Sequence, residues 1–191
     1  MGIKVPVGST PRAVWHGAIC EVAMKENITL IGLPSSGKST VGVLLAKALG
    51  YRFLDTDLLI QEREGMLLHE IIEQRGTDAF LQTENEIIAA LDVTHTVIST
   101  GGSAVYGTQA MEHLKAISRV LYLKIDYDSL VRRLGDYSHR GVVLPKGYTL
   151  RDLYDERTAL YERHADLVVD ERDTEGDLSR TVECCITLCK P

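Results

Sequence analysis

The residues best suited to chemistry stand together in the first third of the chain. Gly32-Leu33-Pro34-Ser35-Ser36-Gly37-Lys38-Ser39 has the spacing GxxxxGK[ST], which is that of a phosphate-binding loop. Gly32 and Gly37 let the backbone turn with positive φ and approach phosphates without a Cβ in the way. Successive N–H groups and the N-terminus of the helix that follows hold phosphate oxygens. Lys38 places a compact positive charge on the β- and γ-phosphates, and Ser39 offers a hydroxyl to Mg²⁺. A bare Gly/Ser turn has no need of Lys and Ser at those two places.

Two carboxylates follow in Phe53-Leu54-Asp55-Thr56-Asp57. If the chain stays extended, the period of two puts both on one side, near the phosphate edge. Two anions there need cations. Mg²⁺ would answer one, directly or through water. The other would orient a substrate hydroxyl or accept its proton. The competing role is structural, with Asp57 capping a helix that begins near Leu58.

Farther along, Ser99-Thr100-Gly101-Gly102-Ser103 offers paired glycines against which a substrate can lie. A serine hydroxyl nearby could support the metal's water shell, and a simple tight turn is the alternative. Residues 135–148 include Gly135, Gly141, Pro145 and Gly147 and read as a mobile lid. Arg132 and Arg133 flank this loop and Arg140 lies in it. An arginine arriving with lid closure would stabilise the charge on a transferring phosphoryl group. A solvated surface arginine is the other reading.

Particular elements must position these motifs. Residues 28–33 are a short apolar run, as in a strand buried on both faces. Residues 39–49 form a helix with Val41, Leu44, Leu45, Ala48 and Leu49 on one face, and Gly50 stands where a cap belongs. Strands are expected at 52–54, 96–99, 119–125 and 166–169. Helices are expected at 108–116, 127–134, 150–164 and 178–189, the last with Leu178, Val182, Cys185 and Cys189 on one face. Residues 58–91 read as two or three helical pieces broken near Gly65 and Gly76, with Phe80, Glu84, Ile87, Ile88 and Leu91 marking the last. Alternating strands and helices predict a three-layer α/β/α fold, a mostly parallel five-stranded sheet covered on both faces. Its strand C-termini should line one edge, where ligands bind. Residues 1–25 show no sustained period and form an N-terminal extension of unknown role, with a short strand around 13–22 as an option.

The 191 residues carry 21 Lys+Arg against 27 Asp+Glu, a net charge of −6. That balance argues against non-specific nucleic-acid binding. No apolar run is long enough to span a membrane. At 45% hydrophobic and 25% charged, the composition is that of an ordinary globular protein. Cys20, Cys184, Cys185 and Cys189 lack metal-knuckle spacing and read as reduced thiols in the cytoplasm. We expect a monomer with no nucleic-acid or membrane partner.

Taken together, GLPxSGKS followed by LAKALG, FLDTD, the GG turn, an RRL…R lid and ER…LYERHAD resembles shikimate kinase over about residues 26–190. The resemblance implies a P-loop kinase of the nucleoside-monophosphate-kinase-like fold that uses ATP and Mg²⁺ in aromatic amino acid biosynthesis. Its acceptor would be shikimate, made into shikimate 3-phosphate. Residue by residue, it implies that Gly32, Ser35, Ser36, Gly37, Lys38, Ser39 and Thr40 bind the nucleotide. Arg133 would stack on adenine. Ser39 would ligate magnesium and Asp55 would hold it through water. Lys38, Asp57 and Arg140 would be the catalytic residues, Asp57 also orienting the acceptor hydroxyl. Gly101, Gly102 and Ser103 would line the acceptor site, and Arg157 would grip a carboxylate. The substrate-binding helices would span about 57–91 and the lid about 135–148.

The chain departs from the family pattern at four places. Leu81 stands where an arginine is expected, Ser103 replaces a third glycine, Gly141-Val142 replaces the lid's Pro-Leu, and Ser35 replaces an inner P-loop glycine. Most of the changes fall on the acceptor side. A related small hydroxylated acid or sugar acid is therefore an alternative acceptor, and a non-catalytic nucleotide-binding regulator is a third reading.

Overall fold

The computed structural model describes residues 26–135, 142–144 and 147–189. Five strands form one sheet: β1 (Asn27–Ile31), β2 (Arg52–Asp55), β3 (Thr96–Ser99), β4 (Ser118–Lys124) and β5 (Leu167–Asp170). Their order is β2-β3-β1-β4-β5, and every pairing is parallel. The neighbours β1 and β3 send their connections to opposite sides of the sheet. Such a reversal leaves a crevice at the carboxyl ends of the two strands.

The helices are α1 (Lys38–Leu49), α2 (Thr56–Glu64), α3 (Leu68–Arg75), α4 (Thr77–Ala89), α5 (Thr108–Ile117), α6 (Tyr127–Leu134), α7 (Leu150–His164) and α8 (Leu178–Cys189). Breaks at Gly65 and Gly76, both at positive φ, cut the 58–91 stretch into α2, α3 and α4. Among the described residues, no helix is long and apolar enough to cross a membrane.

Alternation along each strand feeds two cores. Leu30, Val97, Leu121 and Leu123 pack under α1 and α8 with Val41, Leu45, Val182 and Cys185. Ile31, Ile98, Val120 and Tyr122 face the other way, onto Ile88, Met111, Leu114, Leu153 and Tyr161. Each fully buried Leu or Ile contributes about 1.5–3 kcal/mol. A third cluster, Ile60, Ile71, Phe80 and Val143, ties α2, α3 and α4 to the segment before α7.

Several expectations need correction. The first strand stops at Ile31, because the loop has to turn at Gly32. On α1 the buried stripe is Lys38, Val41, Gly42, Leu45 and Ala46, while Leu44 and Ala48 face outward. The phase of that helix is set by Lys38, which must point back under the loop. On α8, Leu178 is 42% exposed, and only Val182, Cys185 and Cys189 are buried. The strand expected around 13–22, the 1–25 extension and most of the expected lid, residues 136–141 and 145–146, lie outside the described residues.

Candidate active site

The loop between β1 and α1 is built for backbone approach. Gly32 has φ +149°, and a Cβ there would stand 2.7 Å from the Leu123 carbonyl oxygen. Gly37 caps α1 at φ +90°. Ser35 adopts φ +60°, a left-handed conformation that glycine would take without strain. The Lys38 ammonium donates to the Gly32 and Leu33 carbonyls, both at 2.8 Å, and so sits inside the loop it serves. Burial lowers its pKa to about 8, although Asp57 and Asp55 act the other way.

Asp55 closes β2, and Asp57 lies in the first turn of α2. The chain is thus not extended through 57, and a period of two does not relate the pair. The cap role also goes to Asp55 rather than Asp57, since Asp55 Oδ1 accepts the Asp57 N–H at 3.0 Å. Asp55 Oδ2 accepts the Ser39 hydroxyl at 2.7 Å, and Ser99 Oγ lies 3.4 Å from Ser39 Oγ. Burial, reinforced by the Asp55 charge, pushes Asp57 up to about 6, against the pull of Lys38.

The glycine turn after β3 lies against these carboxylates. A Cβ on Gly101 would stand 2.4 Å from Glu84 Oε1 and 2.7 Å from Asp57 Oδ1. A Cβ on Gly102 would meet Pro34 at 2.9 Å and Arg157 Nη1 at 3.2 Å. The Tyr161 hydroxyl donates to the Gly102 carbonyl at 2.6 Å and pins the turn. Ser103 is a hydrogen-bond partner of Glu84. Burial raises Glu84 to about 7, against the lowering influence of Ser103, and its Oε1 has no hydrogen-bond partner. Arg157, only 1% exposed, is the largest fully buried side chain among the described residues.

Two cavities meet at the loop. One, of about 320 Å³, is lined by Lys38, Ser39, Asp57, the Gly101–Gly102–Ser103 turn and Arg157, with Leu68, Phe80 and Val143 as its apolar wall. The other, of about 290 Å³, runs from Ser36 and Thr40 past Leu123 to Arg133 and Glu171. Ser35, Gly37 and Thr40 line both. Arg133 is paired with Glu171. Arg140 lies outside the described residues.

Leu81 does not line the acceptor-side cavity. It packs on the Ile60, Ile71, Phe80 cluster. Arg75 pairs with Glu64 and Gln82 bonds Glu86, so neither replaces the missing arginine. Sequence reading missed Glu84, Tyr106 and Tyr161 as parts of the site. Glu84 carried a usable signal, a carboxylate on the apolar face of α4.

A parallel sheet with this loop, its lysine and a carboxylate facing it across a cleft defines a P-loop phosphotransferase. The shikimate kinase family model matches residues 34–186. Shikimate kinase 2 of Yersinia pseudotuberculosis serotype O:3 (strain YPIII) is 35% identical over 156 residues, covering 79% of this chain and 90% of that protein. The Acinetobacter baumannii shikimate kinase, solved in complex with shikimate, superposes with a TM-score of 0.74 at 27% identity, covering 88% of this chain and 97% of that one. The Aquifex aeolicus shikimate kinase gives a TM-score of 0.71 at 29% identity, covering 84% and 94%. The chain belongs to the shikimate kinase family, a family of small-molecule kinases.

Proposed function

We propose that the protein transfers the γ-phosphoryl group of ATP to a hydroxyl of shikimate, giving shikimate 3-phosphate and ADP. The observation that carries this reading is the single cavity in which Asp57, Arg157 and the glycine turn face Lys38 and the loop. The relatives' acceptor supports the choice of shikimate.

In this reading the loop amides and the N-terminus of α1 bind the nucleotide's phosphates, and Lys38 neutralises charge on them. The second cavity takes the base beside Arg133. Arg157 holds the acceptor's carboxylate, and the Gly101–Gly102 backbone lies against the ring. Asp57 orients the acceptor hydroxyl toward the phosphorus and takes its proton as transfer proceeds. Arg140 would reach the transferring group from the lid. Positioning and charge stabilisation carry most of the catalysis.

The residues present suit Mg²⁺. Ser39, Asp55 and Ser99 form an all-oxygen donor set beside Asp57. Mg²⁺ is commonly held by one or two carboxylates together with substrate phosphates and water, which this donor set suits. Ser39 and Asp55 would hold it, and when bound it supplies positive charge to the β- and γ-phosphates. We further assign a cytoplasmic setting and a monomeric working form. Free thiols at Cys184, Cys185 and Cys189 support the reducing compartment.

A coupled ADP-release assay with shikimate tests the proposal. Robust, acceptor-dependent turnover is expected, and Asp57→Asn should lower kcat by about 10²–10⁴-fold with ATP binding retained. No turnover with shikimate, or full activity in Asp57→Asn, would overturn it.

A further inference from the structure

An arginine grips a carboxylate well only when its planar fork is oriented before the ligand arrives, since rotamer freedom lost on binding weakens the grip. Arg157 is oriented in this way. Its Nη2 donates to the Val143 carbonyl at 2.7 Å. Its Nε donates to the Tyr106 hydroxyl at 3.2 Å. Its guanidinium carbon lies 5.1 Å from the centroid of the Tyr106 ring. The Tyr106 hydroxyl donates in turn to Glu156 Oε2 at 3.3 Å.

Tyr106 therefore touches Arg157 twice, once through its ring and once through its hydroxyl. It stands in the 3-10 turn Ala104–Tyr106, directly after the glycine turn. It does not line the acceptor-side cavity itself. Nη2 and Nε are thus both engaged, and Nη1 stands 3.2 Å from where a Cβ on Gly102 would lie, Gly102 and Arg157 both lining the acceptor-side cavity. Glu156 thus fixes the Tyr106 hydroxyl at one remove from Arg157.

We infer that Tyr106 is a positioning residue and a specificity determinant of the acceptor site. It clamps Arg157 between ring and hydroxyl so that the Nη1 edge is presented to a carboxylate on the acceptor. This rests on the proposed role of Arg157 in holding the acceptor. It adds that carboxylate recognition depends on a residue that never touches the ligand. Acceptors lacking a carboxylate should be indifferent to the clamp.

The test uses the full chain and the variants Tyr106→Phe, which keeps the ring, and Tyr106→Leu, which removes both contacts. Steady-state ADP release gives kcat and the KM for shikimate and for ATP. A ¹H–¹⁵N spectrum of the substrate-free protein follows the Arg157 Nε–H signal, assigned by its loss in Arg157→Lys. In the wild type that proton should exchange slowly, and its signal should broaden in both variants. Tyr106→Phe should raise the shikimate KM about ten-fold, as expected on losing a hydrogen bond to a charged group, and Tyr106→Leu should raise it further. The kcat and the ATP KM should stay within about two-fold of wild type, a pattern that general loss of structure does not produce.

An unchanged shikimate KM in both variants overturns the inference, with or without a broadened signal. So does a parallel rise in both KM values with a lowered melting temperature. If the wild type fails to turn over shikimate, the proposed function falls, and the spectra of the three proteins still decide whether Tyr106 holds Arg157.

Discussion

The hydroxyl of Ser39 donates to Oδ2 of Asp55 at 2.7 Å, joining the first turn of α1 to the end of β2. Asp55 serves two elements, because its Oδ1 also caps α2 through the Asp57 N–H. The two duties can be separated. Asp55→Asn keeps an oxygen for the cap and should change stability by less than about 1 kcal/mol. It removes the anion beside Ser39, so the Mg²⁺ concentration for half-maximal ADP release should rise about 10–100-fold. Asp55→Ala should show the same magnesium defect and lose about 1 kcal/mol more in a urea melt.

Gly101 sits where two carboxyl oxygens leave no room for a methyl group. Its φ is not in the left-handed region, so alanine there meets a steric obstacle rather than backbone strain. Gly101→Ala should displace Asp57 and Glu84 and lower kcat/KM for the acceptor by about 100-fold or more, as misplacing a reacting group by an ångström does. Nucleotide affinity, read by equilibrium titration with ATP, should stay within a few-fold.

Glu84 gives the fold an uncommon pH response. Burial raises its pKa from 4.5 to about 7. Between those values the folded protein holds a proton that the unfolded chain has released, so stability is fully present below the unfolded pKa and falls as pH rises. Asp57, raised to about 6, acts with the same sign. Asp126, Asp152 and Asp170 are lowered by hydrogen bonds from Ser129, Thr149 and Arg172, so what they contribute is lost only at more acidic pH. His164, lowered chiefly by burial, acts the other way in this range, but the two buried carboxyls shift further, so the melting temperature should drop by a few degrees between about pH 5 and about pH 8. Glu84→Gln should flatten much of that slope, and an equally steep profile in the variant would contradict the assignment.

Ser35 holds φ +60° in the loop where glycine would be unstrained. Ser35→Gly relieves a left-handed strain of about 1–2 kcal/mol, and the greater freedom of glycine in the unfolded chain offsets part of it. Denaturant melts should show a net change of no more than about 1 kcal/mol, and the KM for ATP should move by only a few-fold. A large loss in either would mean that the Ser35 side chain itself is needed.

Local signals carried much of the architecture. Helices at 127–134, 150–164 and 178–189 and the strand at 96–99 were readable residue for residue, because apolar periodicity and nearby breakers act within one element. The phase of α1 was not readable. Val41, Leu44, Leu45, Ala48 and Leu49 make a plausible stripe, and only the docking of Lys38 under the loop shows that Leu44 and Ala48 face water. The turn of the chain between Asp55 and Asp57 was hidden for a similar reason. Either aspartate suits a cap, and the contact of Ser39 with Asp55 decides between them.

By itself, the order of residues determined the phosphate loop, the α/β alternation and the family, since these depend on spacings of a few residues and on backbone conformations that glycine alone permits cheaply. Only the tertiary structure decided how Glu84, Ser103, Tyr106 and Arg157 converge around the glycine turn, and that Leu81 packs on the Ile60, Ile71, Phe80 cluster rather than lining the cavity. Those residues come from three separate segments. Where their side chains meet depends on the packing of α4 and α7 against the sheet, which no short window of sequence encodes.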